Sequence, residues 1–404
     1  MVRLIVGILL LCLNSAAYAE KSIRLYHDAD WSNHIESAES IWRGVQTALS
    51  EIDHTVQGYR LELVQKNHSG NVRRSFANYQ DFLEDESALL VFSGIHSPPL
   101  IKNRNFINES QALTLVPWAA GGPITRSETG ENWIFRLSVD DTKAGEVLIN
   151  HAINVVECKA PHLLLEDTPW GDSNLVNMKR ALEKTAVAAA GVTRFNWHLK
   201  GHTARSKLVN IAHTGADCVV MVSNAIEGAE LVNAMLDLEP AQVMPIVSHW
   251  GITAGNFHEL VDAEQRAKLD LTYIQTCFSF IGGVLNDKAE SVYRTAKSLY
   301  PDQIQTARDI RSPVGFIHAY DLTQVLIAAL SQITLSDDMV ANRKKLHTAL
   351  EDMQRPVQGL VKNYVKPFEK YTPERPDAHE ALDIADHCMA FYGQNDEVVV
   401  INDR

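Results

Sequence analysis

Cysteine is scarce in this sequence, and its spacing excludes the common cysteine-based sites. The 404 residues contain five cysteines, of which Cys12 lies in an apolar N-terminal segment. The other four are far apart in the chain: Cys158, Cys218, Cys277 and Cys388. No CxxC pair and no zinc-ligand spacing occurs, and the sixteen histidines are scattered. We therefore predict neither a metal centre nor a cofactor.

These four cysteines can form disulfides in an oxidising compartment, and sequence alone does not fix the pairing. Four cysteines permit three complete pairings. Cys158 and Cys218 each stand at or just before the start of a predicted strand in the same part of the chain. If those strands are neighbours, their starts meet and the two sulfurs can bond. Four buried free thiols are the alternative.

Basic residues are fewer than acidic residues. The chain has 37 Lys and Arg against 50 Asp and Glu, which gives a formal net charge of −13. A protein that binds nucleic acid normally presents a basic stripe, and the sequence has none. We predict no nucleic-acid partner. The acidic residues are spread along the chain, as on a solvated surface.

The motifs of several enzyme classes are missing. There is no Gly-x-Ser-x-Gly, no HExxH, no GxGxxG and no P-loop, so hydrolase, zinc-peptidase, dinucleotide and NTPase chemistries lack their residues. Ser97 with His96 or His249 has the residue types of a nucleophile and its base, but no nucleophile elbow surrounds the serine. We predict that the protein is not an enzyme.

The N-terminus has the three parts of a secretory signal peptide. Arg3 supplies a positive start, residues 4–13 supply an apolar run, and Ala17 and Ala19 form a small-x-small cleavage site. The run is shorter than the roughly 20 residues that span a bilayer, although an uncut membrane anchor is the alternative. We predict cleavage after residue 19 and export to the periplasm, with no later stretch long and apolar enough to cross a membrane.

The order of predicted elements indicates two α/β domains. Removing 19 of 404 residues leaves about 385, which is too many for one hydrophobic core. Short aliphatic strands alternate with longer helical patterns, as in parallel sheets covered by helices. The predicted strands are 23–26, 60–66, 88–92, 113–116, 162–166, 193–197, 218–222 and 243–247. The predicted helices are 37–52, 72–84, 141–156, 174–190, 204–213, 228–236 and 318–333, and a terminal hairpin joins 388–391 to 398–401.

Candidate functional residues should follow the strands, because ligands of open parallel sheets bind at the carboxyl ends of the strands. The loops in these positions are rich in aromatic, histidine, glycine and small hydroxyl residues. They are 93–99, 117–123, 166–171, 223–228 and 248–251.

The two successive βα series and three of these loops resemble the type I periplasmic solute-binding proteins. The nearest branch is the leucine/isoleucine/valine-binding group of ATP-binding-cassette importers. The resemblance rests on segments 94–97, 117–123 and 167–171 and extends over essentially the whole mature chain. It implies two Rossmann-like lobes that close on a ligand and are joined by a three-segment hinge. The implied division gives residues 20–138 plus 277–354 to lobe 1 and 139–276 plus 355–404 to lobe 2, with hinges at 136–138, 275–277 and near Gln358.

The resemblance also implies which residues contact the ligand. Ser97 would hold a ligand carboxylate with its hydroxyl and nearby N–H groups, although a turn serine bonded to its own backbone is the alternative. Ala119 and Ala120 would offer main-chain contacts only, since relatives often carry Thr or Ser near Ala120. Trp170 would be an aromatic lid, or else an aromatic packed under a loop. The other candidates implied are Trp31, Trp118, His96 and Asn224.

One loop departs from the amino-acid-binding relatives. They carry a glutamate that pairs with the ligand's ammonium group, whereas this chain has His249 and Trp250. A neutral imidazole cannot replace a carboxylate as a counter-charge, although Trp250 can face a cation through its ring. Either Glu227 or Asp167 supplies the missing charge, or the ligand is not an ordinary α-amino acid, and we favour the second.

The sequence thus predicts a monomeric periplasmic protein that captures a small polar or amino-acid-like solute between two lobes. The resemblance implies delivery to the membrane permease of an ATP-binding-cassette importer. A sensory role, with the closed form recognised by a membrane receptor kinase or cyclase, is the leading alternative. An enzyme on the same fold is the third.

Overall fold

The structure, a computed structural model, describes residues 21–127, 130–281 and 283–401. The predicted signal peptide, residues 1–19, lies outside the described residues. The strands are β1 Lys21–Ala29, β2 Thr55–Val56, β3 Tyr59–Asn67, β4 Ala88–Ser93, β5 Thr114–Val116, β6 Ile134–Arg136, β7 Pro161–Glu166, β8 Gly191–Phe195, β9 Cys218–Val222, β10 Ile246–Ser248, β11 Leu271–Thr276, β12 Val357–Gln358, β13 Asn363–Tyr364, β14 His387–Tyr392 and β15 Val398–Val400. The α-helices are α1 Ile35–Ser50, α2 Val72–Glu84, α3 Ser97–Glu109, α4 Asp141–Asn154, α5 Pro169–Glu183, α6 Gly201–Ala212, α7 Ala225–Leu236, α8 Phe257–Leu260, α9 Ala263–Arg266, α10 Asp287–Leu299, α11 Pro313–Leu330 and α12 Met339–Glu351.

Two sheets of mostly parallel strands form the framework. The first has the order β2-β3-β1-β4-β5-β6, and the second has the order β15-β14-β11-β10-β9-β7-β8. The antiparallel pairs are β2/β3 in the first sheet and β11/β14 and β14/β15 in the second. Every residue of β4 and β9 is buried, as in inner strands covered on both faces. The predicted α/β fold class and the terminal hairpin are confirmed.

The chain crosses between the sheets three times. After β6 it enters α4, which packs against β9, β10 and β11, and after β11 it enters α10, which packs against α1. The third crossing lies later than the predicted position near Gln358. The N–H of Leu360 donates to Asp321 of α11 at 2.6 Å, and Glu380 pairs with Arg136 of β6. We therefore place the third crossing between residue 380 and β14, and otherwise keep the lobe boundaries as proposed.

Helix α3 begins at Ser97, where the sequence predicts only a turn. Pro98 and Pro99 occupy its first turn, where proline is tolerated because the N–H groups there have no partner inside the helix. Two consecutive prolines are also typical of a turn, so the sequence does not indicate a helix here. Ser97 is therefore the first residue of a helix and is held more rigidly than a loop residue.

Helix α5 begins five residues before its predicted start at 174 and ends at Glu183 instead of 190. Thr168 caps the helix, because its hydroxyl accepts a hydrogen bond from the N–H of Gly171 at 3.3 Å. Trp170 consequently lies in the first turn of a helix, not in a free turn as predicted. The sequence also does not predict β6 and β11.

Helix α11 has the length and apolarity of a membrane-spanning segment, which corrects the prediction that no such stretch follows the leader. Most of the helix is buried, and it packs against α1 and α12. Gly44 of α1 allows this close packing: a Cβ atom there would lie 2.3 Å from the carbonyl oxygen of Phe316. The helix is thus a core element of the first lobe.

Two disulfides are present. Cys158–Cys218 is the pairing that the sequence favours, and it forms because β7 and β9, which the two cysteines precede or begin, are neighbours. Cys277–Cys388 joins the second crossing to β14, whose partner strand β11 ends one residue before Cys277. The alternative of four free thiols is wrong.

Candidate functional site

A cleft lies between the two lobes at the carboxyl ends of their strands. The first lobe contributes the segments that follow β4 and β5. The second contributes the end of β7, the first turn of α5 and the segments after β8, β9 and β10. The space between the walls admits about one water-sized molecule, so the conformation is closed. The lining residues are Ile95, His96, Ser97, Pro98, Trp118, Ala120, Glu166, Trp170, Trp197, Asn224, Trp250 and Gly251.

Seven predicted site residues line this cleft, and four do not. Those in the lining are His96, Ser97, Trp118, Ala120, Trp170, Asn224 and Trp250. Trp31 packs edge-on against His27 and Trp42 instead, and Ala119 lies in an apolar cluster of the first lobe. Glu227 accepts a hydrogen bond from the N–H of His198 at 2.8 Å. His249 is fully buried behind the wall.

The Ser97 hydroxyl faces the segment that follows β5. It accepts a hydrogen bond from the N–H of Gly121 at 3.0 Å, so its own proton is available to a ligand acceptor. The helix start around it is a poor anion site, because Pro98 and Pro99 have no N–H to offer. A ligand carboxylate would find fewer donors here than at an ordinary helix N-terminus.

Trp170 is tied into the second lobe. Its indole N–H donates to Oδ1 of Asp141 at 3.3 Å, and its ring stands edge-on to His249 with 5.0 Å between centroids. Nε2 of His249 lies 3.2 Å from the same carboxylate oxygen. This geometry favours Trp170 as a fixed wall of the cleft over a mobile lid.

Glu166 is a cleft residue that the sequence analysis missed. It ends β7 and is fully buried. Its Oε1 accepts hydrogen bonds from the main-chain N–H and the side-chain amide of Asn224, at 2.8 and 3.0 Å, and its Oε2 accepts one from the indole of Trp197 at 2.8 Å. Burial raises the pKa of Glu166 to about 8, against the lowering effect of these hydrogen bonds. A glutamate at the end of an otherwise apolar strand is the signal that could have found it.

Neither carboxylate that the sequence offers as a counter-charge lines the cleft. Asp167 is exposed, since it follows Glu166 at the strand end and its side chain points the other way. Glu227 is buried and bonded to the backbone of His198. Among the residues that line the cleft, Glu166 is the one with a carboxyl group.

Trp197 is the second residue that the sequence analysis missed. Strand β8 ends at Phe195, so Trp197 lies in the loop beyond it and not in the predicted strand. Its ring centroid lies 5.3 Å from that of His96 in the first lobe. Gly70 leaves room for the indole, because a Cβ there would come within 3.3 Å of it. Trp197 therefore bridges the two lobes at the cleft.

Hydrogen bonds also join the lobes directly. The N–H of Gly122 donates to the Ser173 hydroxyl at 3.0 Å. The Ser312 hydroxyl donates to the carbonyl of Thr253 at 2.8 Å. Separation of the lobes would break both bonds and expose their groups to water, which can bond them instead.

Glu166→Gln should change how stability depends on pH. The folded protein keeps the Glu166 proton up to about pH 8, whereas the unfolded chain loses it near its usual pKa of 4.5. The free energy of unfolding therefore falls as pH rises between these values, and glutamine removes this contribution. We expect the variant to gain on the order of 3 kcal/mol relative to the parent between pH 5 and pH 8, measured by urea unfolding.

Asp167→Asn, at the exposed neighbouring position, is the control for this experiment. The Glu166→Gln variant should also lose some stability equally at all pH values, because its amide NH2 group cannot accept the hydrogen bond from the Trp197 N–H. Only the pH-dependent part reports the carboxyl group. Parallel pH curves for parent and Glu166→Gln would contradict the shifted pKa.

Two α/β lobes that meet around an aromatic and polar cleft define a class of protein that binds small molecules between its lobes. Residues 33–393 match the family model described as periplasmic binding protein. The chain belongs to the periplasmic binding protein family. No curated protein matches the sequence significantly.

Solved structures with the same fold cover nearly the whole chain. A type 1 periplasmic binding protein from Bordetella pertussis Tohama I has a TM-score of 0.77 at 14% identity, covering 94% of this chain and 100% of its own. A branched-chain amino acid transporter substrate-binding protein from Streptococcus pneumoniae, in complex with isoleucine, has a TM-score of 0.74 at 14% identity, with coverage of 94% and 100%. A solute-binding protein of an ABC transporter from R. palustris, in complex with benzoate, has a TM-score of 0.74 at 15% identity, with coverage of 94% and 95%. The likeness is in the fold, and the named ligands belong to those proteins.

Proposed function

We propose that the protein is a periplasmic solute-binding protein for a small amine or amide with a flat or apolar part. The observation that carries this proposal is the composition of the cleft. Four indole rings, those of Trp118, Trp170, Trp197 and Trp250, line it, together with one buried carboxyl group, that of Glu166.

The carboxyl group of Glu166 supports a ligand that carries a hydrogen-bond donor. Three protein donors occupy part of its acceptor capacity, and a carboxylate has about four lone-pair sites. Glu166 keeps its proton up to about pH 8 in the empty cleft, and an ammonium group beside it would favour the ionised form. A ligand N–H or ammonium group can then take the remaining lone pair. A cation would also be attracted to the indole faces around it. Glu166 thus takes the role that the sequence analysis sought in Glu227 or Asp167.

The weak anion site argues against an ordinary α-amino acid. Pro98 and Pro99 remove donors from the start of α3, and Ala120 supplies no hydroxyl. A zwitterion would leave its carboxylate with the Ser97 hydroxyl as a principal donor, and an incompletely bonded buried charge is costly. A neutral amide or a simple amine avoids that cost.

Binding would proceed by closure of the two lobes. Ser97 and His96 belong to one lobe, and Glu166, Trp170 and Trp197 belong to the other, so only the closed form brings them to one ligand. A ligand that contacts both walls stabilises the closed state by its differential affinity. A solute of amino-acid size requires the walls to stand slightly further apart than they do here.

A thermal-shift screen with amines, amides, ureas, amino acids and short carboxylates tests the proposal. A ligand at 100 times its Kd stabilises the folded state by about 2.7 kcal/mol, and we expect such a shift from an amine or amide. Trp170→Ala and Ser97→Ala should each abolish the shift while the proteins stay folded. Trp31→Phe, an aromatic change outside the cleft, should leave it intact.

Two results would count against this assignment. Undiminished thermal shifts in both Trp170→Ala and Ser97→Ala would show that the ligand does not bind in the cleft. A strong response to leucine, isoleucine or valine would show that the cleft accepts ordinary amino acids despite its poor anion site.

Delivery to a permease is the further part of the proposal. It is supported by the solved structures that are named as substrate-binding or solute-binding components of transporters. Uptake of the radiolabelled ligand should be lost when this protein is absent from the cell. Normal uptake with loss of a transcriptional or signalling response would favour the sensory role.

A further inference from the structure

A cluster of histidines lies in the first lobe beside the cleft. Asp30 and His34 follow β1, and His96 follows β4, and these two strands are parallel neighbours. Their carboxyl ends therefore meet, which brings the three side chains together from positions far apart in sequence. One ligand-type atom from each residue lies within 4.8 Å of the other two. All three residues are more than nine-tenths buried.

The geometry of this trio is close to that of a metal site. Nε2 of His96 lies 3.3 Å from Oδ2 of Asp30, and two ligands of one tetrahedral zinc ion are about 3.3 Å apart when each bond is near 2.05 Å. Oδ1 of Asp30 is fixed by the N–H groups of Ser32 and Asn33, at 3.0 and 2.9 Å. These bonds orient the carboxylate and direct its other oxygen to the histidine, as outer partners of metal ligands do.

Two ring nitrogens of this trio lack a hydrogen-bond partner in the described part of the chain, whereas Asp30 is bonded to Ser32, Asn33 and His96. Nδ1 of His34 and Nδ1 of His96 are buried and have no hydrogen-bond partner among the described residues. Buried imidazole nitrogens are normally bonded, and each lost bond costs about 1–3 kcal/mol.

A second trio of the same residue types provides the contrast. His347, Glu351 and His379 also come together. There, Nδ1 and Nε2 of His379 are bonded to the Ile134 carbonyl and to Glu351, at 3.0 and 3.2 Å, and Nε2 of His347 is bonded to the Asn132 carbonyl at 2.9 Å. That trio is a completed hydrogen-bond network and needs no ion.

We propose that Asp30, His34 and His96 bind one divalent transition-metal ion of the zinc class. Two imidazoles and one carboxylate suit Zn²⁺, and three protein ligands leave a coordination position for water or for a group of a bound solute. His96 also lines the cleft, so the ion would lie at its edge. The site does not depend on the proposed solute, and nothing in the sequence spacing reveals it.

Zinc binding by the full chain, purified without a histidine tag and treated with chelator, tests the proposal. We expect one equivalent of Zn²⁺ in equilibrium dialysis with metal analysis, and a rise in melting temperature on adding it. His34→Gln and His96→Gln should each weaken binding by at least about tenfold. His347→Gln in the second trio and the exposed His213→Gln should bind as the parent does. Co²⁺ added in place of Zn²⁺ should give visible absorption bands of a four- or five-coordinate ion that His96→Gln loses.

Several results would overturn the site. They are no bound zinc in the parent, binding that survives in both His34→Gln and His96→Gln, and binding that is lost in His347→Gln alone. Each variant's folding is checked by circular dichroism, and the Co²⁺ spectrum separates a lost ligand from general damage. The solute screen is run separately on zinc-free protein, so failure of the metal site leaves its result unaffected.

Discussion

Replacing Arg136 by methionine should lower the free energy of unfolding by about 3–5 kcal/mol, because it leaves a buried carboxylate without its partner. Arg136 is fully buried at the first crossing between the lobes. Its Nε and Nη2 donate to the two oxygens of Glu380 at 2.8 and 2.7 Å, and its Nη1 donates to the carbonyls of Ala119 and Gly121 at 3.3 and 2.8 Å. One guanidinium thus holds strand β6, the cleft segment after β5 and the chain that approaches the third crossing. The loss should appear as a lower urea midpoint at unchanged slope.

The matched control is the double variant Arg136→Met/Glu380→Met. Replacing both members of a buried pair with apolar residues is often neutral or stabilising, whereas removing one member is costly. Asp140 keeps a partner in the double variant, since Arg126 also binds it. The double variant should therefore recover most of the stability. A double variant as unstable as the single one would mean that the carbonyl contacts of Arg136, not its charge pairing, stabilise this region.

Removing the disulfide with Cys158→Ala/Cys218→Ala should cost about 4 kcal/mol. The two cysteines are 60 residues apart, and a cross-link over a loop of that length removes about this much conformational freedom from the unfolded chain. The bond ties the segment after α4 to the first residue of β9, at the end of the strand opposite the cleft. Thermal unfolding of the double variant, compared with the parent under oxidising conditions, measures the loss.

The second disulfide gives the comparison. Cys277 and Cys388 are 111 residues apart, so their removal should cost slightly more, about 4.7 kcal/mol on the same scale. Reductant lowers the melting temperature of the parent by breaking both disulfides. Each double variant should show a smaller decrease, because one of the two bonds is already absent. A much smaller loss for the longer loop would show that residual order in the unfolded chain, and not loop length, sets the effect.

Local patterns predicted much of the secondary structure. Helix α2 spans the predicted residues 72–84, because its amphipathic period is regular and Asn71 caps it by accepting the N–H groups of Arg73 and Arg74. Strand β9 also spans its predicted residues, since a short wholly apolar run between turns is typical of a fully buried strand. The predicted elements differ from the structure where one local signal fits two structures. Pro98 and Pro99, for example, are typical both of a turn and of the first turn of a helix.

The candidate site was predicted in outline only. The predicted loops at strand ends do line the cleft, because parallel strands place their carboxyl ends at one edge of a sheet. The sequence places Glu166 at the end of one strand and Trp197 within another, and it does not indicate that they converge on Asn224 and His96. The position of one lobe relative to the other decides which side of a strand end faces the cleft. Local hydrophobic periodicity does not determine that position.

The sequence by itself predicted the export signal and indicated the α/β class, the run of strands and helices and the loops that line the cleft, because each of these depends on neighbours a few residues apart. Only the tertiary structure decided the pairing of Cys277 with Cys388, the indole walls around Glu166 and the meeting of Asp30, His34 and His96. Those contacts join residues tens to more than a hundred positions apart, and their geometry is set by strand order and by the closure of two lobes.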